Sequence, residues 1–185
     1  MNFLFTLFFA TLTTTSLAFG NCYKVAPKDI KIKWTAYKTP AKIGVSGHLT
    51  TVSATGPLKG SSLKEIIVGT TLKIAADGKS VNSGNRPRDK KIAKFFFNGK
   101  GITAKVLSLN EKKLVIAVVM HGKEVKVSLA SKIDGQSFKA QGHLDILDFA
   151  MNKQLSALNK ACFAKHKGKT WSDVAIELSA DFTSC

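Results

Sequence analysis

Acidic residues are scarce in this chain: 12 Asp and Glu stand against 28 Lys and Arg, for a formal net charge of +16 over 185 residues. Arginine is scarcer still. Arg86 and Arg88 are the only two, so nearly every cation is a lysine. Proteins that read nucleic acid spend arginine on phosphate forks and base edges. Here the lysines are scattered along alternating positions without a dense basic block, which argues against a nucleic-acid partner and for a solvated basic surface. The chain also lacks any Ser–His–Asp order, Walker loop or dinucleotide fingerprint, and its acids are spread out. The four histidines, His48, His121, His143 and His166, do not cluster. Cys162 and His166 stand four apart, which can put two metal ligands on one helical face, but no second pair completes a site. The expectation is a protein that is not an enzyme, with no catalytic residue, metal or cofactor. A Cys162–His166 enzyme is the competing idea; it requires a reduced Cys162.

Apolar runs long enough to cross a bilayer are missing too. Residues 2–12 (NFLFTLFFATL) are apolar, a Thr-rich stretch follows, and Ala18-Phe19-Gly20 closes it. That run is too short for an anchor. Residues 1–20 read as a signal peptide cleaved after Gly20, leaving a domain over 21–185 that is periplasmic or secreted. Phe19-Gly20-Asn21 fits a lipobox poorly, so Cys22 is not read as a lipidation site. There are three cysteines, Cys22, Cys162 and Cys185; export permits one disulfide and leaves one thiol over. Antiparallel pairing of the first and last strands would favour Cys22–Cys185. A Cys22–Cys162 bond would pin a helix over the sheet instead, and the pairing stays open.

What is present is alternation. Ile30, Ile32, Trp34 and Ala36 alternate with Lys31, Lys33, Thr35 and Tyr37, as a half-buried strand does. Ile43, Val45, Gly47 and Leu49 begin a second strand, whose glycines suit a bend. Ile66, Val68, Thr70, Leu72 and Ile74 predict a third long strand, and Ile102, Ala104 and Val106 a fourth. Residues 114–120 (LVIAVVM) are apolar in both phases, which predicts cover on both faces. His121-Gly122 is a hairpin, with Val125, Val127 and Leu129 returning; Phe138, Ala140, Gly142, Leu144 and Ile146 follow; Val174, Ile176, Leu178, Ala180 and Phe182 come last. Two segments break the pattern. In residues 80–97 (SVNSGNRPRDKKIAKFFF), turn formers lead into Pro87, then Ile92, Phe95 and Phe96 at helical spacing. In residues 149–163, Met151, Leu155, Leu158 and Cys162 share one helical face. About eight strands with two short helical inserts predict an all-β antiparallel protein, closed as a barrel or folded as a sandwich.

Three stretches carry a resemblance. Ser80, Val81, Arg88, Asp89, Ile92 and Phe97, the triplet Val45-Ser46-Gly47, and residues 138–149 (FKAQGHLDILDF) together resemble the YceI-like family, the polyisoprenoid-binding, lipocalin-like proteins of bacterial envelopes. The chain departs from the family where Lys91 replaces a frequent His and where Lys94, Phe95 and Phe96 replace a more acidic run. The resemblance implies an antiparallel eight-stranded lipocalin-like barrel rather than a sandwich. It also implies an apolar ligand of polyisoprenoid, isoprenoid-quinone or fatty-acyl type, carried or stored in the envelope. The implied ligand-binding residues are Trp34, Val45, Val68, Leu72, Phe95, Val106, Ile116, Phe138, Leu144 and Ile176, with Arg88 either meeting a headgroup at the mouth or simply holding the short helix. Small inward residues such as Gly47, Ala104 and Gly142 suit a hollow axis, since eight strands enclose either a packed core or one small ligand. The alternative is a basic secreted module that binds anionic envelope surfaces, an anionic membrane among them, or a protein partner, with no lipid cargo. Monomer and homodimer are both compatible with the sequence.

Overall fold

The computed structural model describes residues 21–50, 52–75 and 77–185; the expected signal segment, Thr51 and Ala76 lie outside them. In chain order the strands are β1 (Tyr23–Lys24), β2 (Ile30–Lys38), β3 (Ile43–Leu49), β4 (Val52–Thr55), β5 (Lys59–Gly60), β6 (Thr71–Ile74), β7 (Val81–Asn82), β8 (Ile102–Leu109), β9 (Lys113–Met120), β10 (Lys123–Asp134), β11 (Ser137–Asp145), β12 (Thr170–Asp181) and β13 (Thr183–Ser184). The helices are α1 (Leu63–Ile67), α2 (Arg86–Lys91), α3 (Asn152–Ala161) and α4 (Phe163–His166), with a π-helical turn over Ile92–Phe97.

Ten strands form one antiparallel sheet in the order β4-β6-β8-β9-β10-β11-β12-β2-β3-β7. Only Thr50 and Thr51 separate β3 from β4, yet these two strands lie near opposite ends of that order. The sheet therefore has to curl until its edges approach, and it forms a half-barrel. Counting β3 and β4 as one bent run, and β7 as a short appendage, recovers the eight strands that the alternation predicts. A second, three-stranded sheet, β13-β1-β5, joins the two ends of the described residues, and a disulfide links Cys22 to Cys185 beside it. Antiparallel pairing of Tyr23 with Ser184 brings the two cysteines together, and Cys162 is left as a free thiol. A disulfide of this kind belongs to a chain that matures in an oxidising compartment.

Three expectations about elements need correction. The long strand predicted over residues 66–74 is instead α1 followed by the short β6. Ser62 caps α1 by accepting from the Glu65 N–H, and Glu65 reaches back to Ser61, so local capping outcompetes the period-2 pattern. Leu63, Ile66 and Ile67 are buried on the inner side of that helix. Residues 114–120 are not covered twice. Leu114, Ile116, Val118 and Met120 face the core, while Val115 and Val119 stay half-buried outside. Ala117 is buried on the outer face between Lys105 and Lys126 in register, whose stems supply its cover. The second helical insert is broken into a 3-10 turn over Ile146–Phe149, then α3, then α4.

Candidate functional site

The inward rows leave a cavity of about 160 Å³ along the axis. Its walls are Ile32, Trp34 and Ala36 of β2, Leu72 and Ile74 of β6, Ile102, Ala104 and Val106 of β8, and Ile116, Val118 and Met120 of β9. Leu144, the row Val174, Ile176 and Leu178, and Leu49, Leu129 and Ile146 line it too. No charged residue lines the cavity, and Thr170 is the only lining residue with a hydroxyl. The end near the disulfide is filled: Phe138, Ile66, Leu114 and Phe182 are all buried there, and none of them lines the cavity.

The opposite end is capped by helical segments. Ile92, Phe96 and Phe97 from the π turn and Leu155 and Leu158 from α3 close over it. His121, in the turn between β9 and β10, ties both caps down. Its Nε2 lies 3.2 Å from the Phe96 carbonyl and therefore carries the proton; its Nδ1 then accepts from Gln154 Nε2 at 3.3 Å. Between the caps and the β2–β3 hairpin lies a cleft of about 490 Å³. It shares Trp34, Ala36, Ile92, Leu158 and Thr170 with the cavity, so it is the cavity's mouth.

The mouth differs chemically from the cavity. Lys38, Arg88, Lys91 and Lys165 line it and no carboxylate does. None of these four makes an ion pair among the described residues. Lys91 Nζ donates to the Ala161 carbonyl at 2.8 Å, which joins α2 to the end of α3. His166 also lines the mouth. Burial lowers its pKa first, and the ammonium groups of Lys38 and Lys91 lower it further, so the imidazole is held neutral. Asn159 donates through Nδ2 to the Gly168 carbonyl and accepts the Thr170 hydroxyl proton on Oδ1; the Thr170 oxygen thus accepts from His166 Nδ1, 2.6 Å away. Cys162 lines the same cleft as a free thiol, without a hydrogen bond to His166 among the described side chains. No three His, Cys, Asp or Glu side chains converge among the described residues.

Of the implied ligand-binding residues, Trp34, Leu72, Val106, Ile116, Leu144 and Ile176 line the cavity, while Val45 and Arg88 line its mouth. Three line neither. Val68 is the C-cap of α1 and follows a helix, not a strand. Phe138 pairs with Ile133 and Ala180 in the closed end and is packed as core. Phe95 is turned outward, with Lys94 Nζ over its ring at 5.4 Å, because the π turn rotates Phe96 and Phe97 inward instead. Arg88 has a structural partner as well: Nε donates to Ser83 Oγ and a terminal nitrogen to the Ser83 carbonyl, each at 2.7 Å. Ser83 Oγ in turn donates to Asp89, which is buried. Arg88 and Asp89 thus clamp one serine rather than each other. Lys38, Lys165 and Thr170 carried no motif, and Lys91 stood out only as a departure from the family pattern; the tertiary crossing of the caps and the hairpin gathers them.

The fold recurs in solved structures. A polyisoprenoid binding domain from Saccharophagus degradans, implicated in plant cell wall breakdown, superposes with a TM-score of 0.62 at 13% identity, covering 88% of this chain and 98% of that one. BcnA of Burkholderia cenocepacia gives 0.58 at 13% identity over 86% and 99%. The YCEI protein of Campylobacter jejuni gives 0.53 at 18% over 76% and 85%. At these identities the likeness speaks for the fold. No curated protein matches the sequence. The YceI-like domain model matches residues 23–182, nearly all of the described chain. With a curled antiparallel sheet around an apolar cavity and that match over its length, the chain belongs to the YceI-like family.

Proposed function

We propose that the protein binds a long apolar lipid, of polyisoprenoid, isoprenoid-quinone or fatty-acyl type, in the axial cavity and carries or stores it in the periplasm. The observation that carries this reading is the cavity itself, whose walls offer almost nothing but hydrocarbon. Water gains no partners there, whereas each methylene brought in from water contributes about 0.8 kcal/mol. The closed end suits a chain terminus, and the cationic mouth suits a polar or anionic head. Family membership and the Saccharophagus relative's polyisoprenoid binding support the ligand class. The disulfide supports an oxidising envelope compartment. In this role the protein holds its ligand without converting it.

The test is native mass spectrometry of the protein purified without detergent, beside the Val106→Trp variant. Val106 is a cavity-wall residue and is 5% exposed. The expected result is a stoichiometric lipid mass on the parent and its loss in Val106→Trp, with the β circular-dichroism signal unchanged. A bare parent that also fails to take up added prenol, or equal loading of both proteins, would refute axial lipid binding.

A further inference from the structure

The mouth lies at one end of the half-barrel, and the surface around it joins exposed apolar side chains to cations. Five large hydrophobic side chains are exposed; the two most exposed, Phe163 at 64% and Ile43 at 53%, both sit at this end. Topology places them near one another. Ile43 pairs with Lys38, and Lys38 pairs with Thr170 across the next strand. The Thr39 N–H donates to the Lys169 carbonyl, and the Phe163 ring lies against Gly168. Two apolar prongs thus flank the cleft, one on the β2–β3 hairpin and one on α4.

Six lysines lie on the segments that carry the prongs and the cleft: Lys38, Lys91 and Lys165 line the cleft, Lys38 pairing with Ile43, while Lys160, Lys167 and Lys169 flank Phe163 and Gly168 in sequence. None of the six is in an ion pair among the described residues. Asp173 is close by, but it neutralises Lys42 at 2.8 Å. The opposite situation holds along the outer face of β12 and β2, where Glu177 and Asp181 pair with Lys33 and Lys31. The hairpin tip is also held stiff. Trp171 Nε1 donates to the Thr39 carbonyl at 2.8 Å, and Lys42 and Lys169 lie over its ring at 5.0 and 4.6 Å.

Exposed apolar prongs within a ring of unpaired lysines match the boundary between acyl chains and phosphate headgroups. We propose that this end docks on an anionic lipid bilayer, with Phe163 and Ile43 entering the headgroup–acyl boundary, the lysines on lipid phosphates, and the cavity mouth facing the membrane. The lipid-carrying reading gives this docking its purpose, but the docking stands on its own observations. Lysine suits the task, because its long stem lets the ammonium reach the headgroup plane while the prong inserts.

Co-sedimentation with vesicles tests it, using phosphatidylcholine alone and phosphatidylcholine with about one third phosphatidylglycerol, a fraction chosen to give the strong anionic surface that attracts polybasic segments. The native protein is compared with Phe163→Ser/Ile43→Ser, with Lys160→Glu/Lys165→Glu, and with Lys105→Glu/Lys126→Glu. The last pair changes net charge equally but lies on the outer wall of β8 and β10. The expected result is binding to the anionic vesicles that weakens with salt, falls at least tenfold in both mouth variants, and changes less than threefold in the wall variant. No binding to anionic vesicles, or an equal loss in the wall variant, would overturn the proposal. The Phe163→Ser/Ile43→Ser variant, whose residues line neither cavity nor mouth, separates this proposal from the cavity reading by still taking up free prenol in solution while failing on vesicles. Should free prenol binding fail while vesicle binding persists, the cavity reading falls and the docking stands.

Discussion

At the scale of the residue, Gly47 shows how closely the inner wall is fitted. It pairs across strands with Trp34, and a Cβ at Gly47 would stand 2.5 Å from Trp34 Cζ2 and 2.7 Å from the Asn82 carbonyl. The absent side chain lets the indole lie flat over β3 while β7 pairs behind it. Backbone and a buried ring cannot both give way, so Gly47→Ala is expected to destabilise by roughly 1–3 kcal/mol, as overpacking does. Urea unfolding checks this, and an unchanged midpoint would show that Trp34 moves freely. The alternation already marked Gly47 as inward and bent, but which atoms crowd it was invisible there. The nearest two belong to residues 34 and 82, brought together only by sheet pairing.

At the scale of the element, the segment after Arg86 decides which aromatics face the ligand. Asn85 caps α2 by accepting from the Arg88 N–H, and Pro87 sits in the first turn, as the sequence predicts. From Ile92 the helix widens to π geometry, and the Asn98 N–H bonds the Ala93 carbonyl, five residues back. A 3.6-residue period pairs Ile92 with Phe95 and Phe96; the wider turn pairs it with Phe96 and Phe97. Phe96 and Phe97 accordingly pack edge to face, with centroids 5.0 Å apart, and both are buried. Phe96→Ala is expected to cost about 3–5 kcal/mol, the range for a buried Phe. Phe95→Ala is expected to cost less, about 1 kcal/mol, because Phe95 is only partly buried. Thermal or denaturant unfolding of the two variants checks the assignment, and the reverse order would put Phe95 inside.

At the scale of the whole molecule, the disulfide closes nearly the entire described chain, its cysteines standing 163 positions apart in sequence. It staples β1 and β13, which at two residues each are too short to hold by pairing alone. Restricting so long a loop in the unfolded chain is worth about 2–4 kcal/mol in typical proteins. Cys22→Ser/Cys185→Ser is expected to lose that amount in equilibrium unfolding, whereas Cys162→Ser is expected to be nearly neutral. A large loss in Cys162→Ser would mean that this thiol does structural work in the mouth. Charge is distributed at the same scale. Three of the four ion pairs join lysines of β2 and the β2–β3 hairpin to acids of β12, leaving the mouth's cations uncompensated among the described residues.

By itself the sequence determined the class of fold, because inward and outward residues alternate over most of the eight runs, and that pattern favours strands with one apolar face wherever local capping does not override it, as it does in residues 63–67. Six of the residues that the family resemblance implied for the ligand stand on the cavity wall, and inward phase is legible wherever a strand is regular. Tertiary structure decided what phase cannot express. Local capping made residues 63–67 a helix and took Val68 out of the wall; axial position put Phe138 in the closed end; a π turn turned Phe95 outward. The crossing of α2, α3 and the β2–β3 hairpin gathered Lys38, Arg88, Lys91 and Lys165 around one opening. Periodicity reports which side of an element a residue is on, while the position along the barrel and the company at its mouth arise only once distant segments pack.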